Sequence, residues 1–360
     1  MQNSRRSLTR RMLAVSACAV ALPLATAGLA GAAPAGTDGI SDTTVKVVAT
    51  GLKNPRDVTA LADGTLLVAE SGEGLPGCPV GQVCLGKTGA VYKIKGPWQG
   101  RVVTGLPSLG PGVAPGAAVQ AVGPASVLPD PYGGYLVLSM GGFDSNGRAA
   151  LGPDAATLGT LSRTRDGSVV ADYVDHETRL NPDGRQPYSN PWKVLRTGGG
   201  YLVTDAGANT VLRTAGGTTT TQFVLPTIEN DRDGVPTGIA RTADGTTYVS
   251  GLGVYAGQSR IYKAGPNGPE EWLSGLTNVV DLAAAPNGDL IALTYTPGYL
   301  EDPPQPSKVL RINTTTKEVT EIPTGDRLIM GTGLDVDREG QIFIVNNARG
   351  TSGELLRLTY

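Results

Sequence analysis

The feature that most constrains this chain is a short signature repeated six times: an aliphatic residue, any residue, then a base. The copies are Val91-Tyr92-Lys93, Leu161-Ser162-Arg163, Val211-Leu212-Arg213, Ile261-Tyr262-Lys263, Val309-Leu310-Arg311 and Leu355-Leu356-Arg357. Their bases lie 70, 50, 50, 48 and 46 residues apart. Each copy follows a glycine turn: Asp63-Gly64, Tyr132-Gly133-Gly134, Gly198 to Gly200, Asp244-Gly245, Asn287-Gly288 and Glu339-Gly340. Asp-Gly and Asn-Gly point to tight hairpins in which both central residues take positive φ. Ser189 to Ala215 shows the whole unit, with strands expected at 192–197, 201–205 and 210–215. Short apolar runs bounded by Gly, Asn and Pro read as strands. Four strands per unit at a period of about 40–50 residues is a β-propeller pattern.

A fourth strand follows in five units, at 101–106, 168–173, 220–225, 270–276 and 318–323. The sixth unit ends at Tyr360 without one, whereas an unassigned strand, TVKVVATGL, opens the repeat region at Thr44–Leu52. We therefore expect an all-β, six-bladed propeller of four-stranded blades, closed by the N-terminal strand completing the last blade. Closure removes exposed sheet edges. Residues 44–360 then form one domain and a monomer is expected.

Residues 1–33 carry four arginines, Arg5, Arg6, Arg10 and Arg11, before an apolar run that ends in Ala30-Gly31-Ala32. This reads as a signal peptide, of the general secretory or the twin-arginine type, and not as a lasting membrane span. Residues 34–43 would be a short flexible segment. A secreted, extracellular location follows. Without residues 1–33, 26 basic residues face 32 acidic ones, a net of −6, which gives no reason for nonspecific binding to nucleic acid or an anionic membrane. The remaining cysteines, Cys78 and Cys84, are expected to pair, since outside the cell a disulfide is favoured over a metal pair.

The tight hairpins leave one face poor in chemistry. The long connections, 71–88, 105–123, 141–157, 175–190, 226–235, 296–306 and 346–353, crowd the opposite face around the channel mouth, the expected place for a small-molecule, peptide or protein ligand. Arg56, Asp57, Tyr188, Asn190, Trp192, Asn278 and Asn347 are its candidate binding residues. Glu70, Asn190, Asp205, Asp281 and Asn346 offer oxygens for a divalent cation such as calcium; the alternative is that they cap strand ends. His176 is the sole histidine; with Glu177 it is a candidate for acid–base chemistry, against the plainer reading of a solvent-facing loop. Glu229 to Gly234 echoes a calcium loop, but position twelve is Ala240, so a solvated acidic turn is the simpler reading. No G-x-S-x-G nucleophile elbow occurs.

NPRDVTALADGTLLVAESG (54–72), SNPWKVLRTGGGYLVTDAGANTVLR (189–213), VPTGIARTADGTTYVSG (235–251), LTNVVDLAAAPNGDL (276–290) and GTGLDVDREGQIFIVNN (331–347) together resemble the ScyD/ScyE family, and more broadly NHL-like and lactonase-like propellers. The resemblance implies an exported propeller and no particular reaction. Two functions follow as expectations: a non-catalytic ligand-binding propeller, or a metal-dependent lactonase-like or esterase-like hydrolase or lyase with a cation at the channel mouth.

Overall fold

A computed structural model describes residues 43–360, except 115–116, 118–119, 254 and 296–305. The proposed signal peptide and most of the 296–306 connection lie outside the described residues. The chain opens with β1 (Thr44–Leu52). Blade one holds β2 (Pro55–Ala60), β3 (Leu66–Glu70), β4 (Val83–Lys95) and β5 (Trp98–Pro111). Blade two holds β6 (Pro124–Pro129), β7 (Tyr135–Ser139), β8 (Thr160–Arg163) and β9 (Val169–Asp172), with helix α1 (Ser145–Ala150) between β7 and β8 and helix α2 (Tyr173–Leu180) after β9. Blade three holds β10 (Pro191–Thr197), β11 (Gly200–Asp205), β12 (Thr210–Ala215) and β13 (Thr218–Val224). Blade four holds β14 (Pro236–Arg241), β15 (Thr247–Gly251), β16 (Ser259–Gly265) and β17 (Gly268–Leu276). Blade five holds β18 (Val279–Ala284), β19 (Leu290–Thr294), β20 (Val309–Ile312) and β21 (Val319–Ile322). Blade six holds β22 (Gly333–Val336), β23 (Ile342–Asn346) and β24 (Gly353–Thr359).

Each blade is a four-stranded antiparallel sheet, and the last is ordered β1-β24-β23-β22. Strand β1 runs along β24 from Thr44 opposite Thr359 to Leu52 opposite Gly353. Its Ala49 and Leu52 pack with Val58 and Val68 of blade one and with Phe343, Val345 and Leu355 of blade six. Burying each large aliphatic side chain contributes about 1.5–3 kcal/mol, so β1 both pairs the edge and seals the junction. The inner strands β2, β6, β10, β14, β18 and β22 touch in cyclic order, β22 returning to β2. The expected closed ring is the observed fold.

The repeated base also has a structural role. In blade two Arg163 reaches the hairpin carboxylate of Asp130 at 3.2 Å, and in blade five Arg311 reaches Asp289 at 2.5 Å. The hairpins differ from expectation in one respect. Only the glycine has positive φ, for example +77° at Gly64 and +90° at Gly245. The preceding acid instead accepts from a backbone N–H two residues on: Asp63 from Thr65 at 3.0 Å and Asp244 from Thr246 at 3.0 Å. This side-chain turn makes the loop longer than a two-residue hairpin.

Two connections are more ordered than the sequence suggested. The expected loop at 71–88 contributes its last residues to β4, because β4 and β5 continue as a ribbon with Val83 opposite Pro111. Gly86 permits this: a Cβ there would lie 2.2 Å from the Gly74 carbonyl oxygen. Cys78 and Cys84 are disulfide-bonded near its tip. The expected strand at 168–173 stops at Asp172, whose carboxylate accepts from the Asp175 N–H at 2.9 Å and caps α2.

Candidate functional site at the channel mouth

The mouth is built by one local device used repeatedly. In the first five blades the residue just before an inner strand turns its carbonyl to the N–H that follows the blade's second strand. The pairs are Asn54 with Ser71 (3.0 Å), Gly123 with Met140 (2.8 Å), Asn190 with Ala206 (3.0 Å), Val235 with Leu252 (2.9 Å) and Asn278 with Tyr295 (2.6 Å); in blade six the related bond is displaced, from the Ala348 N–H past β23 to the Met330 carbonyl ahead of β22 (3.2 Å). Asn54, Val235, Asn278 and Met330 hold positive φ of 46–55° in these turns. Asparagine tolerates that region better than most residues. Asn278 thus owes its place to backbone shape, and so does Asn347, at φ +51°. A bulge follows in five blades, as the register shifts within Pro55/Asp57, Pro124/Ser126, Pro191/Lys193, Pro236/Ile239 and Val279/Asp281 show. A bulge re-aims side chains, and both Arg56 and Asp57 line the channel.

One recess results, lined by Arg56, Ala125, Met140, Trp192 and Thr332 together with Asp57, Lys193 and Asp281. The recess is shallow and partly open, and the space of about 220 Å³ among its lining atoms includes open solvent.

Lys193 is the residue the sequence reading missed. Its ammonium lies 2.6 Å from Asp281 and 3.4 Å from Asp57, and donates to the Leu334 carbonyl at 3.0 Å. Asp281 also accepts from the N–H groups of Leu334 and Leu282, both at 2.8 Å. Asp57 accepts from Ser126 Oγ at 2.6 Å. Asp335 completes the cluster, accepting from the Ala60 and Val336 N–H groups at 2.8 Å each. In the same register Gly238 and Gly333 leave room: a Cβ would lie 2.4 Å from Leu282 N and 2.5 Å from the Arg56 carbonyl oxygen. Burial opposes the lysine charge, but Asp281, Asp57 and Asp335 outweigh it and hold the ammonium above its ordinary range. Burial lifts the Asp281 carboxyl against the pull of Lys193 and pushes Asp335 up to about 6.

The five proposed cation ligands are not gathered. Glu70 accepts from the Lys53 N–H at 2.7 Å and pairs with Arg101 at 2.7 Å. Asp205 accepts from Ser189 Oγ and the Asn190 N–H, each at 2.6 Å, and from Gly207 and Ala208; burial still pushes it up to about 6. Asn346 accepts from the Ile329 N–H at 2.8 Å, and Asn190 accepts from the Gly141 N–H at 3.3 Å. Glu70, Asp205 and Asn346 end the second strands of three different blades and cap the segments leading into their own inner strands. Asp281 faces an ammonium. Among the described residues no three His, Cys, Asp or Glu side chains form a metal-holding group, so this donor set does not fit a channel-mouth cation.

His176 and Glu177 are not on a loop; they lie in α2 and are buried. His176 Nε2 is 2.9 Å from Thr221 Oγ1, and burial followed by Arg179 lowers its pKa. Among the described residues neither Glu177 carboxyl oxygen has a hydrogen-bond partner. Burial, then Asp205 and Asp183, pushes its pKa up to about 8. Neither residue lines the recess. Tyr188 is half-buried in the link to β10 and is not a recess-lining residue either. The acidic turn is an ion-pairing surface, with Arg185 2.8 Å from both Asp231 and Asp233.

Fold and mouth together define a six-bladed β-propeller with a recessed, charged channel mouth. Among solved structures, a streptogramin B lyase matches with a TM-score of 0.51 at 13% identity, over 88% of this chain and 97% of that one. The virginiamycin B lyase of Staphylococcus aureus, solved as an inactive variant with quinupristin, matches at 0.50 and 16% identity, over 89% and 100%. A putative gluconolactonase matches at 0.50 and 13% identity, over 90% and 92%. At such identities the likeness is one of fold. No family model matches the chain, and no curated protein matches it in sequence. The resemblance to the ScyD/ScyE family rests on the sequence segments alone.

Proposed function

We propose that this protein is an exported propeller that binds a small molecule at its channel mouth, with an end group of the ligand entering the recess among Arg56, Ala125, Met140, Trp192 and Thr332. The observation that carries this reading is the juxtaposition of apolar walls with buried charged groups in one recess, the usual make-up of a ligand site. The Lys193–Asp57–Asp281 ion cluster lines the same recess and supplies rigidity. The likeness to lactonase and lyase propellers supports the fold and leaves the reaction open. A hydrolase or lyase centred on a mouth cation is disfavoured by the donor set described above.

Thermal shift over a panel of small organic acids, lactones and esters tests the reading. Compounds that raise the melting temperature of the native protein should lose that effect in Ala125→Leu, which fills the recess, and keep it in Trp98→Phe, on the outer strand β5. Stabilisation that survives Ala125→Leu, or no stabilisation by any compound, would overturn it.

A further inference from the structure

Arg56 is a buried cation held by neutral acceptors. It is 4% exposed. Its Nε donates to Ser71 Oγ at 3.3 Å and its Nη2 to the Ala121 carbonyl at 2.7 Å. Both acceptors are neutral, and a guanidinium has five N–H donors to place. Among the described residues no carboxylate pairs with it. The two carboxylates lining the same recess, Asp57 and Asp281, face Lys193 and take the hydrogen bonds of Ser126, Leu282 and Leu334. Elsewhere the chain does match such charges: buried Glu70 faces Arg101, Asp130 faces Arg163 and Asp289 faces Arg311. Of the charge interactions on Arg56 the larger is with Tyr295, which favours its charged form, and the smaller is with Arg349, a like charge that opposes it. A buried charge left unpaired is costly, and here the unmatched one lines the recess.

We propose that Arg56 receives the carboxylate of a small organic acid whose apolar body rests against Ala125, Met140 and Trp192. The inference rests on the mouth being the ligand site and adds the chemical class. The planar fork of a guanidinium matches a carboxylate through two parallel N–H···O bonds. A dianionic phosphate suits the recess less well. Its second charge would meet Asp57 and Asp281, which line the same recess.

Calorimetric titration of the full chain with benzoate, benzamide and inorganic phosphate at low ionic strength tests this. Benzoate should bind at least about tenfold more tightly than benzamide, as a charge-assisted pair requires, and more tightly than phosphate. Arg56→Gln should abolish the preference for benzoate, and Arg56→Lys, which keeps the charge but loses the fork, should weaken benzoate severalfold. Arg56→Gln without ligand should melt no lower than the native protein, because an unmatched charge has been removed. If it fails to fold, the Arg56→Lys titration carries the test alone. Equal binding of benzoate and benzamide, both lost in Ala125→Leu, would overturn the carboxylate assignment and leave the mouth as the site. A benzoate preference that persists in Arg56→Gln would remove Arg56 from the account. Tighter binding of phosphate would replace the carboxylate with a phosphoryl ligand. Absence of benzoate binding, with other compounds still displaced by Ala125→Leu, would overturn the organic-acid class alone.

Discussion

Replacing Lys193 with methionine keeps the length of the side chain and removes its charge. In the native protein the ammonium is 2.6 Å from Asp281 and 3.4 Å from Asp57 and donates to the Leu334 carbonyl. Lys193→Met leaves a buried carbonyl without that donor and buried carboxylates without their cation. Removing one partner of a buried pair costs about 3–5 kcal/mol. For a large domain this lowers the melting temperature by roughly 6–10 °C, at about 2 °C per kcal/mol. The effect should depend on pH. Burial already raises Asp281 and lifts Asp335 to about 6, and losing Lys193 raises both further. At pH 5 they take up protons and the deficit shrinks; at pH 8 they do so less and it is full. Denaturant unfolding of both proteins at pH 5 and pH 8 reads the difference, and adding Asp281→Asn to Lys193→Met should recover part of the loss. A deficit below about 1 kcal/mol, typical of an exposed ion pair, or one equal at both pH values, would refute the axial ion cluster.

Other predictions follow from the same geometry. Asp335, Asp205 and Glu177 have folded-state pKa values raised to about 6, 6 and 8. The unfolded chain releases these protons near pH 4, so between pH 4 and 8 it binds fewer than the folded one. Stability should therefore fall as pH rises through that window, by up to ~1.4 kcal/mol per pH unit for each group still differing; a flat or rising profile from chemical denaturation would contradict this. Glu177→Gln, which removes a buried ionisable group with no hydrogen-bond partner among the described residues, should flatten the upper part of that profile above pH 7 in the same assay. Deleting residues 44–52 should expose the β24 edge and uncover Leu52's junction, giving aggregation or a large fall in melting temperature; an unchanged monomer would argue against closure by β1. Cys78→Ser with Cys84→Ser should fold and lose about 2 kcal/mol or less, because the closed ring is short. Global unfolding of that double variant in a thermal melt would mean that blade one depends on its ribbon.

Much of the fold is legible in the chain because each blade repeats the same local rules. The base of Val-x-Arg and the glycine of Asp-Gly recur in register, and the missing fourth strand after Arg357 together with the spare strand at Thr44–Leu52 dictates closure. The site was harder to read. Glu70, Asp205 and Asn346 look like a ligand ring in sequence, yet they stand at equivalent ends of different blades, and equivalence around a ring holds side chains apart. Lys193 looks like an ordinary strand base. Its role emerges only when Asp57, Lys193 and Asp281 are placed at one register position after the lead-in residue of each inner strand, where a bulge aims them at the axis. His176 and Glu177 read as loop residues because Asp172 caps a helix where the repeat calls for the end of a strand.

The claim that the channel mouth is the ligand site is tested most directly by the tryptophan indoles. The chain has three tryptophans: Trp192 in the recess, Trp98 exposed on β5 and Trp272 in the core. Each gives one indole N–H signal in a nitrogen-15 correlation spectrum. Titration with any compound that stabilises the protein should shift the Trp192 signal in a saturable way and leave Trp98 unmoved. Saturation that moves Trp98 while Trp192 stays fixed would place binding on the outer strands and contradict the account.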